Sequence, residues 1–226
     1  MLLYNFGYYI TKPASKPEYI SLKCSHILTV SDCICSLHPN LKATFWQNKE
    51  YEEERRDYQK LLGISDVEFN NLKVEVSGIF ADYHLDVGSR FTMLSEALHF
   101  REKYLRSLNL KVISIALEDE FKDILRDFII EDRCMNNIEA DLILVNQEAG
   151  GELIGYDILG WDTSGFHSYL CNGLDKDILE KYDLSVNNVG LIQNDYEDVK
   201  IFAEHIKDKG EPVDWLPFSV YEHTVL

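Results

Sequence analysis

The pattern of hydrophobic and polar positions predicts β-strands over the first 48 residues of the chain. Pro13, Pro17 and the HPN turn at 38–40 interrupt this stretch, as turn residues do between strands. The segments between them are rich in aromatic and β-branched residues, which favour strands. Four strands are predicted: LLYNFGYYI at 2–10, EYISLKC at 18–24, SHILTVSDCIC at 25–35 and KATFWQN at 42–48.

Amphipathic helices are predicted in the next part of the chain, at 49–63, 65–85 and 91–108. The first has Asn48 as its N-cap, glutamates before bases along its length, and Gly63 as its stop. Ser65 is the predicted cap of the second helix. A strand at 74–80 is an alternative for part of that second helix.

Strands and helices alternate irregularly in the rest of the chain. Strands are predicted at 110–117, 138–147, 152–161 and 189–193, and helices at 118–130, 167–181 and 195–209. Asn194 is the predicted N-cap of the last helix and Gly210 its stop, and an aromatic tail follows at 211–226. Because the pattern contains hairpin-length connections and lacks regular βαβ alternation, we predict an α+β fold. Its sheet should be mixed and largely antiparallel, with packed helices.

One globular domain spanning 1–226 is expected, because no linker, repeat or low-complexity tract interrupts the chain. A subdivision into a part at 1–109 and a part at 110–226 is the alternative. No run approaches the roughly 18 apolar residues that cross a membrane. The first residues, MLLYNFGYYITKP, lack the basic and apolar regions of a signal peptide. We therefore expect a cytoplasmic protein.

The charge of the chain is strongly negative and unevenly distributed. The sequence contains 39 Asp and Glu residues against 22 Lys and Arg residues, which gives a net charge of −17. Residues 1–117 hold 14 acids and 14 bases, whereas residues 118–226 hold 25 acids and 8 bases. A field of this sign repels nucleic acid and anionic lipid and attracts basic proteins. The alternative is that the acidic surface only keeps the protein soluble.

The segment GWDTSGFHSYLCNGL at 160–174 contains a dense group of reactive side chains. Its Asp162, Ser164, His167 and Cys171 raise the hypothesis of a hydrolase. However, a nucleophile and its base normally come from distant segments, and no G-x-S-x-G motif is present. We favour a helix capped by Asp162, Thr163 or Ser164, whose buried face consists of Phe166, Leu170, Leu174 and Ile178. No enzymatic activity is expected.

No cofactor, metal ion or nucleic acid is expected as a ligand. The seven histidines are scattered, and neither an H-x-x-x-H motif nor a calcium-loop pattern occurs. The AGGELIG run joins two predicted strands and therefore lacks the helix N-terminus that holds a phosphate. The concentrated bases, at Arg55–Arg56 and Arg101–Arg106, are balanced by nearby glutamates.

Tyrosine and tryptophan residues accompany the acidic side chains of the second half. Accessible aromatic anchors among carboxylates are typical of surfaces that bind basic proteins. We expect such anchors at Tyr156, Trp161, Tyr169, Tyr182, Tyr196, Trp215 and Tyr221. The predicted partner-binding residues are Asp157, Trp161, Asp162, His167, Tyr169, Asp175, Asp177, Tyr196, Glu197 and Asp198.

Four runs of the second half carry a resemblance: GELIGYDILGWDTSGFHSYLCNGL, VNNVGLI, EDVKIFAEHI and EPVDWLPFSVYE. They resemble the C-terminal half of bacterial immunity proteins from polymorphic and contact-dependent growth inhibition toxin systems. The resemblance implies a cytoplasmic inhibitor that binds a cognate toxin domain, often a nuclease with a basic cleft, and frequently covers its active site. The alternatives are a regulatory or scaffold module for another basic protein, and a hydrolase with a site near Asp162–Cys171.

The five cysteines should all be reduced in the native protein, because the cytosol keeps thiols reduced. Thiol titration under denaturing, non-reducing conditions should therefore count all five. A lower count would indicate a disulfide and a different compartment.

Overall fold

The computed structural model describes residues 3–31, 34, 49–83, 90–105, 109–131, 151–162, 165–210 and 212–224. Its strands are β1 (Leu3–Thr11), β2 (Ala14–Ser15), β3 (His26–Ile27), β4 (Lys111–Glu118), β5 (Glu152–Asp162), β6 (Gly165–Ser168) and β7 (Leu216–His223). Its α-helices are α1 (Glu52–Leu62), α2 (Asp66–Tyr83), α3 (Leu94–Tyr104), α4 (Asp119–Glu131), α5 (Asp175–Lys181) and α6 (Tyr196–Ile206). Short 3₁₀ helices precede α1, at Lys49–Tyr51, and follow β6, at Tyr169–Asn172.

Five strands form one sheet in the order β1-β4-β7-β5-β6, and every pair of neighbours is antiparallel. The sheet and its helices confirm the predicted α+β class. Because β1 pairs with β4, the sheet crosses the alternative boundary between residues 109 and 110.

The segment predicted as an aromatic tail is the central strand β7, which pairs with β4 on one side and β5 on the other. The first five residues of β7 are all buried, so this strand lacks the alternation of buried and exposed positions that identifies a half-buried strand. Pro217, which weakens a strand prediction, lies near the start of β7, where a missing amide hydrogen is tolerated.

Helices cover both faces of the sheet. On one face, Ile113 and Ile115 of β4 share a hydrophobic core with Leu125 of α4. On the other face, Val112 of β4 packs with α1, α2 and α3, and Ile158 of β5 packs with α5 and α6. Since successive residues of a strand point to opposite faces, this arrangement buries nearly every residue of β4.

The described residues of the N-terminal part contain less strand than predicted. The first strand is confirmed as β1, but residues 18–24 form no strand, and the only strand described within 25–31 is β3. Ile20 and Leu22 are buried in a loop against the core of α5 and α6, so their alternation reflects packing without strand pairing. The strand predicted at 42–48 lies outside the described residues.

The predicted stop of α1 at Gly63 and the predicted cap of α2 at Ser65 are confirmed. Asn48, the predicted N-cap of α1, lies outside the described residues, and α1 begins after Tyr51. Gly63 ends α1 in the left-handed conformation, at φ 65°, which glycine adopts without strain. Ser65 and Glu68 form a capping box at the start of α2, in which each side chain bonds the amide of the other residue, at 3.3 and 2.8 Å. Since α2 continues through 74–80, the alternative strand there is wrong. None of the described helices is both long and apolar enough to span a membrane.

The single helix predicted at 167–181 is wrong. Its first residues belong to β6, which forms a hairpin with β5, and a 3₁₀ helix and α5 follow. Gly173, at φ 66°, lies between the 3₁₀ helix and α5 and interrupts the helical path. Phe166 and Leu170 are buried on a strand and on a 3₁₀ helix, so burial at helical spacing did not require one helix.

The helix α6 lies where it was predicted, but Asn194 does not cap it. The Oδ1 atom of Asn194 accepts hydrogen bonds from the amide and hydroxyl of Ser185, at 2.7 and 3.2 Å. In place of the strand predicted at 189–193, Ile192 forms isolated bridges, so that strand is also wrong.

Substitutions at Phe218 and Ile201 test the position of the core. Phe218 of β7 is fully buried, whereas Ile201 of α6 is 58% exposed. Phe218→Ala should lower the free energy of unfolding by about 3–5 kcal/mol, because it leaves a cavity beneath α4. Ile201→Ala should change it by less than about 0.5 kcal/mol. Chemical denaturation measures both values, and equal losses would contradict the central place of β7.

Candidate functional site

Residues 160–174 form part of a β-hairpin followed by a 3₁₀ helix, and Asp162 ends the strand β5 instead of preceding a helix. The cap in this segment is Ser168, whose Oγ accepts a hydrogen bond from the amide of Leu170 at 3.3 Å. The structure therefore corrects the expected cap at Asp162, Thr163 or Ser164, of which the last two lie outside the described residues.

His167 and Cys171 do not lie on one face of a helix. His167 lies on β6 opposite Gly160, whereas Cys171 lies in the 3₁₀ helix with its Sγ atom 3.5 Å from Ser31 Oγ. The two side chains named in the hydrolase hypothesis therefore lie on different elements. Cys24 and Cys171, the two cysteines in the described part of the chain, are not joined in a disulfide. Within that part, no group of three or more His, Cys, Asp or Glu residues is arranged to hold a metal ion.

Asp157 is buried in the protein and is not part of a surface. Its Oδ2 atom accepts a hydrogen bond from Thr29 Oγ1 at 2.6 Å, and its Oδ1 atom accepts one from the amide of Ile158 at 2.8 Å. Burial raises the pKa of Asp157 to about 7, although these donors act in the opposite direction. Asp157 therefore attaches the loop that contains Thr29 to the sheet.

Asp175 and Tyr169 are also internal. Asp175 Oδ2 accepts hydrogen bonds from the amide and hydroxyl of Ser21, both at 2.6 Å. Burial raises the pKa of Tyr169 well above its ordinary value, and the carboxylates of Asp157 and Asp175 add to that increase. These residues hold the N-terminal loop and the 3₁₀ helix in place, and their side chains do not face solvent, where a partner would contact them.

The expected aromatic anchors are largely buried because they belong to the core. At most 7% of the surface of four of them is exposed: Trp161, Tyr169, Tyr196 and Trp215. The other three are half-buried: Tyr156, Tyr182 and Tyr221. Of the ten predicted partner-binding residues, the buried ones are Asp157, Trp161, Tyr169, Asp175 and Tyr196. The exposed or half-buried ones are His167, Asp177, Glu197 and Asp198. The side chain of Asp162 is not among those that the structure describes.

An exposed acidic turn remains at the start of α6, which consists of Asp195, Glu197 and Asp198. Glu197 forms an ion pair with Lys200 at 2.8 Å. Among the described residues, no cation lies within ion-pair distance of Asp195 or Asp198. Carboxylates are stabilised at a helix N-terminus by the helix dipole, so this turn can carry its charge without destabilising α6.

Lys200 lies beside the acidic turn and is surrounded by carboxylates. Its Nζ atom is 2.8 Å from Glu197, 3.1 Å from Glu120 and 3.5 Å from Glu118. The hydrogen bond to Glu197 and the charges of the two other carboxylates raise the pKa of Lys200 above its ordinary value. Because one cation serves three carboxylates, the cluster stays negative.

Asp177 differs from the acidic turn because its charge is matched locally. Its Oδ2 atom is 2.5 Å from Lys209 Nζ and 3.8 Å from His205 Nε2. The hydrogen bond from Lys209 lowers the pKa of Asp177. Of the predicted acidic contacts whose side chains the structure describes, Glu197 and Asp198 are therefore the ones whose surroundings leave negative charge facing solvent.

A groove of about 410 Å³ lies between α4 and α6, next to the start of β7. Its apolar lining includes Phe121 and Ile124 of α4, Ile201 and Ala203 of α6, and Trp215 and Leu216. Ile201 and Ile124 are both exposed to solvent. Exposed large aliphatic side chains that lie close together often mark a surface that contacts another molecule. This groove, together with the acidic turn, is the candidate functional site.

The groove was not predicted from the sequence, although the sequence contained one signal of it. The buried face of α6 consists of Tyr196, Val199, Phe202, Ala203 and Ile206. Ile201 lies off that face, so an apolar residue at a solvent-facing position of an amphipathic helix was visible. The proximity of Ile201 to α4 could not be seen in the sequence, because α4 and α6 are about 70 residues apart in the chain and approach each other only in the fold.

Comparison with known proteins assigns no family to this geometry. No protein-family model, curated protein or solved structure matches the chain. The acidic turn and the groove therefore carry the functional interpretation.

Substitution of Asp157 tests its burial through the pH dependence of stability. The pKa of an unfolded Asp is about 3.9, whereas the pKa of Asp157 in the folded protein is about 7. Between these values the folded state holds a proton that the unfolded state has released, so this group lowers the free energy of unfolding as pH rises from about 4 to about 7. Asp157→Asn should remove that contribution, which is as large as about 4 kcal/mol.

Chemical denaturation of wild type and Asp157→Asn across this pH range measures the contribution of Asp157 as a difference. The stability of wild type relative to the variant should decline through the window and then level off. A difference that is constant with pH would contradict the raised pKa.

Proposed function

We propose that this chain is an immunity protein that binds and neutralises a basic toxin domain, such as a nuclease, through the acidic turn of α6. The observation that carries this proposal is an exposed negative turn directly beside an apolar groove. Asp195 and Asp198 lack cationic partners among the described residues, and Ile201 is exposed three residues further along the same helix. Charge that guides association next to apolar area that holds the complex is typical of protein-binding surfaces.

The internal ion pairs of the acidic half support the proposal. Lys200 is occupied by three carboxylates, and Lys209 and Lys207 pair with Asp177 and Glu204. These lysines neutralise part of the negative charge within the protein, but they leave the carboxylates at the start of α6 facing solvent. A basic partner would therefore meet an excess of negative charge at this end of the helix.

A regulatory or scaffold module for another basic protein would use the same surface. The two functions differ in whether binding abolishes an activity of the partner. The immunity function therefore requires inhibition as well as binding, and the toxin domain encoded beside this chain is the partner to test.

Reversal of charge in the acidic turn tests the proposed surface. Glu197→Lys/Asp198→Lys should slow association with the toxin domain at least about tenfold and weaken its inhibition, because these charges guide the encounter. Stopped-flow association at low salt and a toxin activity assay measure the two effects. No binding of the wild-type chain, or binding without inhibition, would contradict the immunity function.

Glu52→Lys/Glu53→Lys in α1 is a closely matched control. Both pairs lie in the first turn of a helix, and Glu52 pairs with Arg56 as Glu197 pairs with Lys200. The dipole cost should be similar, at about 0.3–1 kcal/mol per charge. Because the first half of the chain is charge-balanced, this control should stay within about threefold of wild type, and equal sensitivity would contradict the assignment to α6.

A further inference from the structure

We propose that the groove between α4 and α6 binds a basic amphipathic helix of the partner protein, with a large apolar side chain of that helix inserted next to Ile201. This inference rests on the proposed function, because it identifies the part of the partner that the acidic surface receives. It makes the groove the anchor of the complex and the acidic turn the element that guides association.

The lining of the groove favours an apolar anchor. Phe121, Trp215 and Leu216 line the groove, although Trp215 and Leu216 expose only 3% and 5% of their surface. Ile201 and Ile124 of the lining are exposed to water. A volume of about 410 Å³ is sufficient for a large side chain of a partner. Burial of such a side chain in a pocket is the usual source of a binding hot spot.

The charges around the groove favour a basic partner. The lining contains the carboxylates of Glu120, Glu204 and Asp214 and the ammonium groups of Lys200 and Lys207. Both lysines are already paired, Lys200 with Glu120 at 3.1 Å and Lys207 with Glu204 at 3.8 Å. Asp214 has no cation within ion-pair distance among the described residues, so the rim keeps an unmatched carboxylate that Lys or Arg of a partner can meet.

The geometry of the groove favours a helix over an added strand. Two helices form its walls, which is the arrangement that receives a helix with an apolar face. The start of β7 is poorly suited to pair with another strand, because Leu216 already pairs with Leu159 and Pro217 has no amide hydrogen. The carbonyl of Pro217 also accepts a hydrogen bond from Tyr196 Oη at 3.0 Å.

Titration with a designed peptide tests the groove without knowledge of the natural partner. The probe is a labelled peptide of about 18 Lys and Leu residues with leucines at i, i+3, i+4 and i+7, compared with a scrambled peptide of the same composition. Fluorescence anisotropy should show that the amphipathic peptide binds the wild-type chain more tightly than the scrambled one. Equal or absent binding of the two peptides would overturn the proposal.

Ile201→Asp separates the apolar contact from charge attraction. This variant adds a carboxylate, so attraction by charge alone would strengthen, whereas loss of the apolar contact should weaken peptide binding at least about tenfold. Val74→Asp is the control, because Val74 is 74% exposed on α2, away from the groove. An Ile201→Asp affinity within about threefold of wild type would overturn the proposal.

The same variants with the toxin domain distinguish the groove from the proposed function. If the toxin domain binds wild type and Ile201→Asp equally well, and the amphipathic peptide also binds these two proteins equally well, the groove assignment fails and the immunity function remains. If the amphipathic peptide binds at Ile201 but the toxin domain does not bind, the groove assignment remains and the immunity function fails.

Discussion

Strand β7 hydrogen-bonds to β4 along one edge and to β5 along the other, and it thereby joins β1–β4 and β5–β6 into one sheet. Phe218 and Val220 of β7 belong to the core beneath α4, and Leu216 pairs with Leu159 of β5. The positions of α4 and α6 therefore depend on a strand that comes last in the described chain. Because the groove lies where these two helices meet the start of β7, its shape depends on the same pairing.

Two buried carboxyl groups attach the N-terminal loop to this framework. Asp157 accepts a hydrogen bond from Thr29, and Asp175 accepts two from Ser21. Burial of a carboxyl group is unfavourable unless the group is hydrogen-bonded or protonated. The loop is therefore held in the position at which Thr29 and Ser21 can donate hydrogen bonds to the two carboxyl groups. Because Asp157 and Asp175 are buried, they do not contribute to the acidic surface that was predicted from the net charge.

The acidic surface is consequently more localised than the net charge implies. Lys200, Lys207 and Lys209 compensate neighbouring carboxylates, whereas Asp195 and Asp198 face solvent at the start of α6. The exposed Ile201 lies on the same helix. A partner that binds α6 would therefore contact charged and apolar surface together. The charges would speed association, and the apolar contact would slow dissociation of the complex.

Local signals in the sequence determined much of the secondary structure, because they act within a few residues. The cap at Ser65, the stop at Gly63 and the amphipathic pattern of α6 were all predicted from the sequence. The α+β class and the acidic character of the second half also follow from the sequence alone. Long-range packing decided the rest. The burial of Trp161 and Asp157, the central position of the strand Leu216–His223 and the proximity of α4 to α6 all depend on tertiary contacts. The sequence did not predict them, because a hydrophobic pattern indicates that a residue is buried but not which distant segment packs against it.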